Sequence, residues 1–120
     1  MNKFVFPIFF LFVFSGCSDN LFNDSRKSIL TGSVWELDHC INTSENTIVA
    51  VSFFSYRFYS DGTYIIVSEN GNTGQGNWEL LQDEEYLKIG TNIFRIKSIS
   101  GRLLVLKYGE LEFVFTPPAR

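Results

Sequence analysis

From Leu30 onward, short runs rich in Val, Ile, Phe, Tyr and Trp recur about every eight to twelve residues, and Gly, Asn, Asp or Ser falls between them. No stretch in that span holds a 3.6-residue apolar period, so helices are not the organising element. The runs are Val34–Cys40, Thr47–Tyr59, Thr63–Ser68, Gln75–Leu81, Tyr86–Ile89, Ile93–Ile99, Leu103–Tyr108 and Leu111–Thr116, and Pro117-Pro118 stops the last of them. Thr47–Tyr59 exceeds the usual strand length and is either two strands or one strand bent near Ser52. Alternation gives each strand a wet face: Trp35, Leu37 and His39 fall on one side of the first run, Glu36 and Asp38 on the other. The expected fold is all-β, a single small up-and-down antiparallel β-barrel of about eight strands, because closure removes the exposed edges of an open meander.

The turns between the runs have their own chemistry. Asp61-Gly62 between apolar runs is the strongest hairpin signal, since Gly accepts positive φ. A two-residue turn would pair Tyr59 with Tyr64, and a three-residue turn with a bulge would shift that register by one. Asn70-Gly71, Gly90-Thr91-Asn92, Ser100-Gly101-Arg102 and Gly109-Glu110 mark further reversals.

The first residues belong to a different physical class. Lys3 precedes an eleven-residue apolar run, Phe4 to Phe14, which ends in Ser15-Gly16-Cys17. Crossing about 30 Å of hydrocarbon takes roughly 20 apolar residues. This run is too short and contains Pro7, so it reads as a cleaved signal peptide over residues 1–16. Ser15-Gly16-Cys17 resembles the lipobox of bacterial lipoproteins, which implies that Cys17 is lipidated and becomes the first mature residue. Each buried CH₂ contributes about 0.8 kcal/mol, so several acyl chains make a lasting anchor where one does not. Ser18 is not the aspartate associated with inner-membrane retention, so the resemblance implies the outer membrane, with the lipid anchor on Cys17 as the membrane contact. Cleavage without lipidation is the rival outcome, since Ser15 and Gly16 suit that too. Residues 17–29 then read as a lipidated N-terminus and flexible linker, 30–116 as the barrel and 117–120 as a tail.

Of the thirteen phenylalanines, six lie in the leader, so much of the aromatic content belongs to a segment expected to be removed. The formal net charge is −3, and losing Lys3 makes the remainder more acidic. No basic run is visible, which argues against a nucleic-acid partner. With Cys17 assigned to lipid, Cys40 has no partner for an internal disulfide and reads as a buried apolar residue. His39 and Cys40 are neighbours on a strand and point to opposite faces, so they do not form a nucleophile pair. The acid pairs Glu36 with Asp38 and Glu110 with Glu112 sit about 7 Å apart on one strand face and read as solvated exterior. No zinc spacing, phosphate loop or Ser-His-Asp set is present, so no catalytic residue, metal or cofactor is expected and the chain reads as non-enzymatic.

Three motifs carry a resemblance over Leu30 to Thr116. Leu30-Thr31-Gly32-Ser33-Val34-Trp35-Glu36-Leu37, then Phe58-Tyr59-Ser60-Asp61-Gly62-Thr63-Tyr64, then Gly76-Asn77-Trp78-Glu79-Leu80 resemble the lipocalin-like domain of small bacterial lipoproteins. The resemblance implies a small β-barrel with capacity for a small apolar ligand. The ring-bearing residues expected to line such a site are Trp35, Phe54, Tyr56, Phe58, Trp78, Phe94 and Phe113. The same residues would also fill a solid core, in which case the expected role is a structural or protein-interaction module with an envelope protein as partner.

Overall fold

Residues 25–118 are described by a computed structural model. The expected signal peptide over residues 1–16, the expected lipidation site Cys17 and residues 18–24 of the expected linker lie outside the described residues, as do the last two residues of the expected tail.

Alternating apolar and polar side chains produce nine strands: β1 (Val34–Asn42), β2 (Thr47–Val49), β3 (Phe54–Phe58), β4 (Thr63–Ser68), β5 (Thr73–Leu81), β6 (Tyr86–Ile89), β7 (Asn92–Ser100), β8 (Leu103–Tyr108) and β9 (Leu111–Thr116). The sheet order is β9-β8-β7-β6-β5-β4-β3-β1-β2, and β9 pairs back onto β1. Every pairing is antiparallel. Eight strands therefore close a barrel, and β2 is an addition that shares one edge of β1 with β3. The run Thr47–Tyr59 is two strands separated by Ala50–Phe53.

A short helix, α1 (Arg26–Thr31), precedes the barrel. The sequence pattern places these residues at the end of a flexible linker, but a helix of under two turns is too short to show a 3.6-residue period. It forms because Ser25 caps it, its side chain accepting from the Ser28 N–H at 3.1 Å, and because Leu30 is fully buried. The described structure thus places a helix ahead of the first strand.

Two β-bulges change which residues face inward. In β1, Leu37 pairs with Phe115 and His39 with Val114, leaving Asp38 as the extra residue. The alternation slips there, so Trp35, Leu37 and Cys40 are buried and His39 turns to the outside. This corrects the strict alternation that put His39 beside Trp35 and Leu37. In β7, Ile96 pairs with Leu106 and Ser98 with Val105, which makes Lys97 the extra residue.

The β3–β4 hairpin adopts the three-residue turn. The Tyr59 N–H donates to the Thr63 carbonyl at 2.8 Å, the Gly62 N–H donates to the Tyr59 carbonyl at 3.0 Å, and Phe58 pairs with Tyr64. Gly62 at φ +93° takes the left-handed position that this bulged turn requires. The Asp61 carboxylate accepts from both the N–H and the hydroxyl of Thr63, at 3.0 and 2.6 Å, and these bonds hold its carboxyl below the usual range.

Candidate functional site: the ring-lined barrel interior

The two ends of the barrel differ. At one end α1 lies against β3 and β7, and Leu30, Trp35, Phe58 and Trp78 join one buried cluster with Leu87, Leu104, Leu106 and Phe115. Both indoles are satisfied there: the Trp35 N–H donates to the Leu30 carbonyl at 3.0 Å, and the Trp78 N–H to the Tyr59 carbonyl at 2.9 Å. Trp35 is 0 % exposed and Trp78 6 %, so this end is closed by protein.

Toward the opposite end, inward-facing rings are only half-buried. Phe54 and Tyr56 on β3 stand edge-to-face at 5.4 Å, and both approach Phe115 of β9 at 5.8 Å. Phe94 lies 5.2 Å from Tyr108 and 6.2 Å from Phe113, forming a second group on β7, β8 and β9. The strand β9 links the two, Phe115 meeting the first group and Phe113 the second. Tyr108 is 46 % exposed, and Val51 and Phe53 on the nearby β2–β3 connection are 42 % and 43 % exposed. The turns at this end carry Glu45, Glu69 and Glu110 and no Lys or Arg.

Of the seven ring residues expected from sequence, then, Trp35, Phe58 and Trp78 are built into the closed end, and Phe54, Tyr56, Phe94 and Phe113 line the half-buried part. Sequence reasoning missed Tyr64, Tyr108 and Phe115. Phe115 shares the face of Phe113 two residues on, which was a usable signal. Tyr64 is placed by a close approach: a Cβ on Gly76, its cross-strand partner, would fall 2.9 Å from the Tyr64 ring. Gly74 leaves the same room for Ile66, where a Cβ would fall 3.1 Å from its methyl group.

Burial and the neighbouring Tyr64 push the Tyr56 phenol up to about 12, so it remains neutral at any physiological pH. Burial also raises the Cys40 thiol, which is free and faces inward. His39 faces outward, its Nδ1 2.6 Å from the Asp38 carboxylate, so the His39 and Cys40 side chains diverge. Among the described residues no three His, Cys, Asp or Glu side chains are placed to hold a metal ion. Hollows of about 320 and 370 Å³ both border Trp78 at the closed end, one with Asn77, Glu79 and Lys88, the other where Lys27 of α1 meets Asp83 and Glu84.

This architecture is shared with solved structures. A lipocalin-like protein from Bacteroides uniformis superposes with a TM-score of 0.60 at 17% identity, covering 74% of this chain and 99% of its own. The fold is a lipocalin-like barrel. An uncharacterized protein from Bacteroides eggerthii gives a TM-score of 0.59 at 13% identity, with 72% and 98% coverage. A further Bacteroides uniformis protein, solved by NMR, gives 0.55 at 15% identity, with 76% and 91% coverage. No protein-family model and no curated protein matches the chain. At these identities the likeness establishes the lipocalin-like fold alone.

Proposed function

We propose that this lipocalin-like barrel is a non-enzymatic envelope lipoprotein, anchored in the outer membrane through Cys17, whose open end takes up a small apolar molecule. The observation that carries the ligand proposal is the asymmetry of the interior. Phe54, Tyr56, Phe94 and Phe113 face inward yet stay half-buried, whereas Trp35 and Phe58 at the other end are sealed. Half-exposed rings beside a sealed floor are the arrangement of a concave apolar site with few polar groups. The acidic turns around it favour an uncharged or cationic molecule over an anionic one.

Titration of a form lacking residues 1–17 with the neutral fluorophore N-phenylnaphthylamine tests this. Saturable enhancement is expected, weakened by Phe94→Ala and unchanged by Tyr59→Ala outside the ring groups. Enhancement that never saturates, or that ignores Phe94, overturns it. Radioactive palmitate should label the wild type and not Cys17→Ser, and an unlabelled wild type overturns the anchor.

Contact with another envelope protein through β2 is the second proposal. Among the described residues β2 pairs only with β1 and its other edge is unpaired, and Ile48 upon it is 75 % exposed. Co-purification of a single partner, abolished by Ile48→Lys, would favour this role.

A further inference from the structure

The barrel is acidic overall, but its charge is not evenly spread. Between Glu85 and Glu110 the chain contains no Asp or Glu and carries Lys88, Arg95, Lys97, Arg102 and Lys107. These residues are dispersed in sequence, and the strand register gathers them. Arg95 on β7 pairs directly with Lys107 on β8, two like charges on the outer face in a position that ordinarily destabilises a sheet. Lys97, extruded by the β7 bulge, lies two residues further along, and Arg102 occupies the β7–β8 turn. The one acid among them is Glu112 on β9, which accepts from Lys97 at 2.6 Å. Lys88 stands opposite Glu79 of β5. Glu112 also stands directly opposite Lys107 in the β8–β9 ladder, and among the described residues no salt bridge engages Arg95 or Lys107. The Lys107 ammonium reaches only the Thr43 hydroxyl, at 3.3 Å.

We infer that the outward face of β7 and β8, centred on Arg95, Lys97 and Lys107, docks against a phosphate-bearing lipid surface. Charge complementarity supplies the first ground: Arg95, Lys97 and Lys107 share the single carboxylate of Glu112, so the face keeps a net positive charge that an external anion neutralises. The path of the chain supplies the second, and this ground rests on the proposed anchor. Ser25 caps α1, which lies against β3 and β7 alike at the closed end. Cys17 is eight residues upstream. An extended chain covers about 3.3–3.6 Å per residue, so the tether spans at most roughly 26–29 Å. A lipid at Cys17 therefore holds Ser25, at the closed end, within that distance of the bilayer, which leaves the cationic flank of the barrel free to meet it. The short tether provides lasting attachment and the cationic face provides orientation.

The test uses the chain from Ser18 onward, which keeps every described element and has no lipid, and measures sedimentation with vesicles. Binding is expected to phosphatidylcholine vesicles containing phosphatidylglycerol and not to phosphatidylcholine alone. Each charge removed by Arg95→Gln, Lys97→Gln or Lys107→Gln should weaken it by about fivefold, the factor set by the roughly 1 kcal/mol that a basic residue gains at an anionic surface. Arg57→Gln, on the far side of the barrel, should bind as the wild type does. Binding should vanish as salt rises from about 0.1 M to about 1 M and screening shortens from about 10 to about 3 Å. Equal binding to both vesicle types, equal loss on Arg57→Gln, or no binding at all would overturn the inference. Tighter binding to a short DNA duplex at equal phosphate would overturn its assignment to lipid. Because this form lacks Cys17, the outcome is independent of palmitate labelling, and either proposal can fail while the other stands.

Discussion

At the scale of single residues, Tyr56 and Gly76 make the barrel sensitive to chemistry the sequence hides. The phenol of Tyr56 has its folded-state value pushed up to about 12 from 10.0, so ionisation is harder in the folded chain than in the unfolded one. The stabilising difference is complete below pH 10 and is lost as pH rises through 12, reaching roughly 2–3 kcal/mol at full ionisation. Urea unfolding midpoints should therefore fall across that window in the wild type, and the part due to Tyr56 should disappear in Tyr56→Phe. An identical alkaline profile in both chains would show that other groups govern it. Gly76→Ala should cost about 1–3 kcal/mol, since the new Cβ falls within 3.0 Å of the Tyr64 ring carbon Cε2. Combining it with Tyr64→Ala should recover part of that loss, because the two sites share one space. Strictly additive thermal unfolding data would refute the close approach.

At the scale of elements, the strands were legible and their irregularities were not. Thr63–Ser68, Tyr86–Ile89, Leu103–Tyr108 and Leu111–Thr116 coincide with observed strands because each is a short β-rich run bounded by turn residues. The bulges at Asp38 and Lys97 left no mark in composition, since an extra residue in a strand is set by its partner's register. For the same reason the facing of Arg95 and Lys107 appears only once β7 and β8 are paired. Helix α1 escaped notice because one buried leucine fixes it. That dependence makes Leu30→Ala a direct probe: losing the side chain beneath Trp35 should cost about 2–5 kcal/mol and open the closed end. Trp35 fluorescence should shift to the red in the same variant while the native state persists. A change below 1 kcal/mol, with no spectral shift, would mean that the end is sealed without α1. The ring-bearing candidates divide on the same principle. Sequence could name them, but only the position of α1 decides which rings are floor and which are wall.

At the scale of the whole molecule, packing is polar from end to end, whereas charge is polar from side to side. The closed-end turns carry Asp61, Asp83, Glu84 and Glu85, and the cations of β7 and β8 lie along one flank. The end closed by α1 is where the chain departs toward Cys17, and the β7–β8 turn with Arg102 lies at that end too. The open end, with its half-buried rings and its glutamates, lies opposite. If the β7–β8 flank docks as inferred, the barrel lies on its side and the ring-lined end opens along the bilayer, so a ligand reaches it from the aqueous side. Fluorophores attached at Gly101→Cys and at Asn70→Cys report the docked flank and the opposite one, because Gly101 sits in the β7–β8 turn and Asn70 in the β4–β5 turn. Cys40 is fully buried and should not compete for the label in the folded chain. In the acylated protein bound to vesicles carrying headgroup spin labels, the Gly101 site should be quenched strongly and the Asn70 site weakly. Adding Arg95→Gln and Lys107→Gln should bring the two signals together without releasing the protein, since the acyl chains hold it and only the orientation depends on the cationic face. Quenching that is equal at both sites from the start would mean that the tether alone sets the position of the barrel.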